Sequence, residues 1–145
     1  MDYVGRSACA LSHAVVVELL NGDERPSRVE AELQYHPGDP YAVTVTFSLG
    51  NRQIRWIFAR ELVANGLYEP TGEGDVQVQP GLDEEGRATV LLLLTSPQGR
   101  ALVQARAREI RTFVERMSAV VPFGLEHQHV DLDAALTALV GDPRD

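Results

Sequence analysis

Lysine is absent from this chain of 145 residues: all 13 basic residues are arginines, set against 21 acids. The formal charge of −8 works against general nucleic-acid binding, which needs a basic face to displace counterions from phosphate. The single cysteine, Cys9, excludes an internal disulfide. In the run Ala8-Cys9-Ala10-Leu11 it reads as a small core residue. No apolar run approaches the ~20 residues that span a bilayer. No basic segment followed by an apolar stretch opens the chain. Both point to a soluble, cytoplasmic protein without membrane insertion. Catalytic patterns are missing too. Thr71-Gly72-Glu73-Gly74-Asp75 has a glycine pair but no Lys-Ser/Thr pair. It carries two acids that repel phosphate and precedes a strand, so it reads as a turn. No nucleophile elbow or other spaced motif gathers Ser, His and Asp. The residues give no argument for an enzyme or a cofactor.

An apolar fraction of 44% and a charged fraction of 23% are those of an ordinary globular protein. Residues 1–145 fit one domain, with 1–7 and 141–145 as loose tails. The stretch Asp39 to Val78 organises the rest. Tyr41, Val43, Val45, Phe47 and Leu49 alternate with small or polar residues, so one face of a strand is buried. Gly50-Asn51 supplies a hairpin turn. The return strand, Gln53 to Phe58, places Ile54, Trp56 and Phe58 on one face. A short helix from Ala59 to Ala64 follows, closed by Asn65-Gly66 with Gly66 in the left-handed conformation. Upstream, Ala8 to Leu20 reads as a long strand whose apolar centre hides its faces. Arg28 to Tyr35 alternates cleanly. Downstream, Asp75 to Gln79 and Ala88 to Thr95 are strands joined by an acidic tip. With hairpin-length connections, the sheet is antiparallel.

Ser96-Pro97 has the chemistry of a helix start, and the sequence predicts a long helix from there to Val121, stopped by Pro122 and Gly124. Val103, Ala107, Ile110, Val114, Met117 and Val121 form a seam of period 3.5 within a wider apolar stripe. The stripe is mostly core, with the seam's edge available to another subunit. Arg100, Arg106, Arg108 and Arg111 lie among its polar positions and are candidate contact residues. The plainer alternative is a solvated face with Arg–Glu pairs such as Arg111 and Glu115. Asp83, Glu84 and Glu85, at the acidic tip, are further contact candidates. Glu126 to Val130 reads as an extended link, which would point His127 and His129 the same way, as two metal ligands do. A transition-metal site needs three or four ligands, and only His13, His36 or Cys9 could complete it. Asp131 caps a last short helix. The fold class is α+β: a curved antiparallel sheet, or two small sheets, packed with one long helix and a short C-terminal helix.

Four segments, DPYAVTVTF, WIFARELVANGLYEPTGEGDVQVQP, LTSPQG and VVPFGLEHQHVDLDAALTALV, stand in an order that resembles the SsgA-like proteins of sporulating actinobacteria. The likeness runs from Ala8 to Val140 and includes His127 and His129. The chain differs from the best-known members at its N-terminus and in the tip Asp83 to Arg87. The resemblance implies a fold similar to the Whirly single-stranded-DNA-binding proteins and the mitochondrial guide-RNA-binding proteins, and a homo-oligomer, with a trimer favoured. It implies a non-enzymatic role in sporulation-specific septation through protein contacts, with the tubulin-like division protein FtsZ or an SsgA-like paralogue as partners, and a location at division septa. The Whirly-like fold offers single-stranded nucleic acid as the alternative ligand, against which the acidic charge stands.

Overall fold

The structure, a computed structural model, describes residues 11–20, 22, 25–72 and 74–130. The expected tails, Cys9 and the helix expected from Asp131 lie outside the described residues. The elements run β1 (Leu11–Leu20), β2 (Ser27–Tyr35), β3 (Ala42–Leu49), β4 (Arg52–Ala59), α1 (Arg60–Gly66), β5 (Val76–Leu82), β6 (Ala88–Ser96), β7 (Gly99–Arg106) and α2 (Ala107–Val120). Residues 126–130 are also helical. The strands make one antiparallel sheet in the order β4-β3-β2-β1-β7-β6-β5.

Register carries the period-two alternation from strand to strand. His13, Val15 and Val17 of β1 stand opposite Leu33, Ala31 and Val29 of β2. Leu33 and Ala31 oppose Val45 and Phe47 of β3, which oppose Trp56 and Ile54 of β4. Across the β1–β7 joint Leu19 lies beside Val103. The same face continues through Leu92 of β6 to Val78 of β5. One face therefore holds buried core residues from all seven strands, while Glu30, Glu32 and Arg55 stand exposed on the other. The apolar centre of β1 resolves the same way: Val15 and Val17 are buried and Val16 is exposed.

The sheet must curl. Ile54 and Trp56 of β4 line one groove with Leu94 of β6 and Val103 of β7. In a flat sheet, β4 and β6 would be about 24 Å apart at the usual strand spacing. The β1–β7 pairing spans only Glu18–Leu20 with Leu102–Gln104. Four strands and three strands thus meet along a short joint.

The hairpin of β3 and β4 follows expectation. Gly50, at φ +63°, takes the first of the two turn positions, where the hairpin's twist demands a left-handed residue. The long helix is different: the expected start at Ser96 is a hairpin turn instead. Ser96 pairs with Gly99 across Pro97-Gln98, and Pro there presets the turn's φ as readily as it would a helix start. Residues 99–106 form β7, with Val103 and Ala105 buried on the core face. The helix begins only at Ala107.

α2 lays Ala107, Ile110, Phe113 and Met117 onto the core. Phe113 and Met117 are fully buried, each worth about 1.5–3 kcal/mol relative to exposure. The period-3.5 seam is thereby divided. Val103 belongs to a strand, and Ala107, Ile110, Met117 and Val121 are buried in the chain's own core, with Val114 half-buried against it. These side chains meet the sheet because an apolar stripe of this width is covered by it; little of the seam is left for another subunit. Helix α2 ends as expected before Pro122, with Val121 extended and Gly124 at φ +94°.

Gly66 has another role than the one expected. It ends α1 without a positive φ, and Leu67 after it is right-handed. Its lack of a side chain matters because α1 presses on β5. A Cβ at Gly66 would lie 2.2 Å from Val78 Cγ1. Val78 is 1% exposed and has no room to withdraw. Gly66→Ala gains about 1 kcal/mol of helix propensity, but overpacking costs ~1–3 kcal/mol. Net destabilisation is expected in urea unfolding, partly relieved by adding Val78→Ala. A stabilised Gly66→Ala protein would refute the close-packing account.

Candidate interaction surfaces

The most constrained cluster lies where α1 meets the end of α2. Arg60 is fully buried and Glu126 is 5% exposed. Arg60 Nε and Nη2 donate to Glu126 Oε2 at 3.0 and 2.7 Å. Its Nη1 donates to the Val121 carbonyl at 2.8 Å, and Nη2 also to that of Pro122 at 3.2 Å. The Gly124 N–H donates to Glu126 Oε1 at 2.9 Å. The guanidinium lies over the Phe123 ring, 3.9 Å from its centroid, and 5.3 Å from that of Tyr35, a cation–π arrangement. Burial pushes the Glu126 carboxyl up, but the Arg60 hydrogen bonds and charge, with the backbone N–H donors, outweigh it and hold it below the usual range. Burial pushes the Tyr35 phenol up, opposed by the Arg60 charge. This is a structural clamp.

A second tie holds α2 to the sheet. Arg116 can only donate, so its contact to His13 Nδ1 at 3.2 Å makes that nitrogen the acceptor. His13 Nε2 then donates to Glu109 Oε1 at 3.0 Å. The imidazole also packs on Phe113, with ring centroids 6.2 Å apart.

The metal candidates do not converge. Residues 126–130 are helical rather than extended. His127 and His129 thus sit two positions apart on a helix, about 200° around its axis. His13 is engaged as described, and His36 Nδ1 accepts the Gly38 N–H at 2.9 Å. Among the described residues no group of three or more His, Cys, Asp or Glu is placed to hold a metal.

The candidate contact residues fall on separate surfaces. Arg100 is on β7 beside the hairpin turn and Arg106 closes β7; only Arg108 and Arg111 lie exposed on α2. Among the described residues no ion pair joins Arg111 to Glu115. At the tip, Asp83 is a loop fastener. Its Oδ1 accepts the N–H groups of Glu85 and Arg87, both at 2.9 Å, and its Oδ2 accepts Arg87 Nε at 2.9 Å. The Arg87 backbone bond leads the causes that hold its pKa below the usual carboxylate value. Glu85 pairs with Arg87 at 3.0 Å. Glu84 is exposed.

Two grooves also mark the surface, and no sequence pattern announced either. One, of about 800 Å³, lies on the polar face. Among its polar lining, Glu18 accepts from Gln104, Arg87 pairs with Asp83, and Glu109 accepts from His13. The other, of about 500 Å³, opens on the core face beyond the reach of α2. Val17, Leu19, Phe47, Ile54, Trp56 and Val103 line it, with Arg52 and Arg100 as its only charged residues among those described. Arg60 and Glu126 were also missed. An arginine inside WIFARELV was the visible oddity, but a partner 66 residues away leaves no spacing to read.

The geometry defines a small sheet-and-helix scaffold offering grooves and charged patches, with no helix among the described residues long and apolar enough to cross a membrane. The family model for the Streptomyces sporulation and cell division protein SsgA matches residues 29–126. The chain belongs to this SsgA family, whose members are cell-division proteins and not enzymes. SsgB, the sporulation-specific cell division protein of Streptomyces coelicolor, is 42% identical over 127 residues, covering 87% of this chain and 92% of that one. SsgB of Kineococcus radiotolerans is 46% identical over 113 residues, 77% of this chain and 68% of the relative. Among solved structures, one from work on S. coelicolor SsgB mutations that correlate with longitudinal cell division during sporulation superposes with a TM-score of 0.79 at 41% identity, covering 83% and 94% of the two chains. The SsgA-like sporulation-specific cell division protein of Thermobifida fusca superposes with a TM-score of 0.83 at 34% identity, covering 90% and 96%.

The clamp makes stability fall in acid. The Glu126 carboxyl has a lower pKa folded than its ordinary 4.5, so the folded state binds its proton less readily than the unfolded chain. The stabilisation is complete above that ordinary value and is lost as pH falls through the lower folded value. Glu126→Gln leaves the Arg60 charge buried without its counterion, a cost of about 3 kcal/mol. Urea unfolding at neutral pH should show that loss, and unfolding between pH 5 and 3, a range of about two units around the ordinary value, should show a shallower acid dependence in the variant. Equal stability at neutral pH would mean that the pair is dispensable.

Proposed function

We propose that this protein is a non-enzymatic regulator of sporulation-specific septation that works by protein–protein contact and helps to localise the FtsZ division machinery. The observation that carries the reading is the similarity to S. coelicolor SsgB over 87% of the chain, a relative described as a sporulation-specific cell division protein. The scaffold suits such work. Its helix is fixed to the sheet and its C-terminal turn is locked by a buried ion pair, so a surface is presented without reorganisation. A homo-oligomer, a trimer by family resemblance, would display several copies of that surface, and weak contacts would add through effective concentration. An SsgA-like paralogue is the second expected partner. The protein would act in the cytoplasm, concentrated at division septa.

Binding of the purified protein to FtsZ, to an SsgA-like paralogue and to single-stranded DNA across a salt series tests this. Saturable binding to FtsZ or the paralogue, with no DNA binding at moderate salt, is the expected result. Tight DNA binding that weakens steeply with salt, with no protein partner bound, would overturn it in favour of nucleic-acid recognition on a Whirly-like fold.

A further inference from the structure

Among the described residues strand β4 has a neighbour on one side only, since β3 pairs with it and the sheet ends there. The Arg60 N–H donates to the Tyr41 carbonyl at 2.8 Å, which fixes the phase of the ladder. Pairs alternate in an antiparallel ladder, so Arg52, Ile54, Trp56 and Phe58 bond inward to β3. The N–H and C=O groups of Gln53, Arg55 and Ile57 therefore face away from the sheet. Beside this open edge lies the apolar groove, with Ile54 and Trp56 forming one wall. The edge strand RQIRWIFA holds two arginines and no acid, in a chain of net charge −8. Among the described residues Arg52, Arg55 and Arg100 have no ion-pair partner.

We infer that the β4 edge and the groove beside it form a docking site for an extended segment of a partner protein in which apolar and acidic residues alternate. Main-chain groups of such a segment would pair with Gln53, Arg55 and Ile57, as in strand addition. Its apolar side chains, all on one face, would enter the groove next to Ile54 and Trp56. Its alternating acids would face Arg55 on the outer side, and a further acid on the groove face, ending the apolar row at the Gly50-Asn51 turn, would meet Arg52 and Arg100, which line that end of the groove. Arginines on an open edge also serve simply to repel another sheet. Edge protection, however, requires nothing of Arg100, which comes from β7 and lines the same groove. Charge also selects the occupant. A second copy pairing β4 against β4 would set arginines against arginines. A nucleic acid would leave the edge's backbone groups without a main-chain partner. The site deepens the contact-based reading above and rests on it only in that a partner protein supplies the segment. Peptide binding and FtsZ binding are separate measurements, so either can fail alone.

The test uses the full chain, whose single tryptophan, Trp56, reports on the groove. The probe is a short acetylated and amidated peptide alternating Ile with Glu and carrying one further Glu on the Ile face at each end, so that either strand direction brings an acid to Arg52 and Arg100; the control has Lys in place of every Glu. The acidic peptide should bind saturably, move Trp56 emission to the blue, slow amide exchange at Gln53, Arg55 and Ile57, and weaken with salt. Replacing Arg52→Glu and Arg100→Glu together, both exposed positions, should weaken it about tenfold while the urea midpoint of the free protein stays unchanged. Equal binding of the Lys peptide would overturn the proposal, as would binding that leaves those amides unprotected. So would a Trp56 shift that depends on the protein's own concentration, which would place a second copy in the groove, or displacement of the peptide by an oligothymidylate.

Discussion

A guanidinium removed from water is tolerated only when its charge is balanced and each of its nitrogens finds an acceptor, and Arg60 meets that condition with groups drawn from distant parts of the chain. The clamp joins the start of α1, which continues β4, to the turn that ends α2, which continues β7. Those two strands belong to opposite halves of the sheet. The halves share only the three register pairs of the β1–β7 joint. Without a second tie, the curl would depend on apolar contact alone, which is non-directional. The ion pair supplies direction, and the His13–Glu109–Arg116 bridge adds another fixed point between β1 and α2.

That closure is uneven along the strands, and the unevenness separates packing from recognition. At one end α2 fills the curl with Phe113 and Met117, both fully buried. At the other no element of the described residues fully covers Leu19, Ile54 and Trp56, and an apolar groove remains. The surfaces singled out by charge alone are less free than they looked. Asp83 is consumed in its own loop, and the arginines first assigned to one helix face are divided between a strand and a helix.

The sheet was largely legible because the period-two signal of Val29 to Tyr35, of Val43 to Phe47 and of Ile54 to Phe58 has one physical cause, a sheet with a single buried face. Residues 96–106 misled because Ser96-Pro97 satisfies the opening of a helix and the tip of a hairpin equally. Val103 fits either the 3.5-residue seam or the alternation of Ala101, Val103 and Ala105; the ladder to β6 decides, and no local propensity does. Glu126 to Val130 misled for a similar reason, since mixed polar residues carry no period. Of the sites, the resemblance gave the family, but the clamp and the groove arise from residues that only tertiary structure brings together. Gly66 shows the limit of reading glycine as a backbone signal: its neighbour Val78, twelve positions on, explains it.

The β1–β7 joint bears on how such a chain reaches its fold. Every other strand pairing among the described residues links strands adjacent in sequence. Of the strand pairings, only β1 with β7 brings residues as distant as Leu19 and Val103 together. Loop-closure entropy is therefore concentrated in one event, while each hairpin can form from nearby residues at little entropic cost. Topology of this kind divides folding into local assembly of a four-strand unit and a three-strand unit, followed by one non-local search that ends when a three-pair zipper catches.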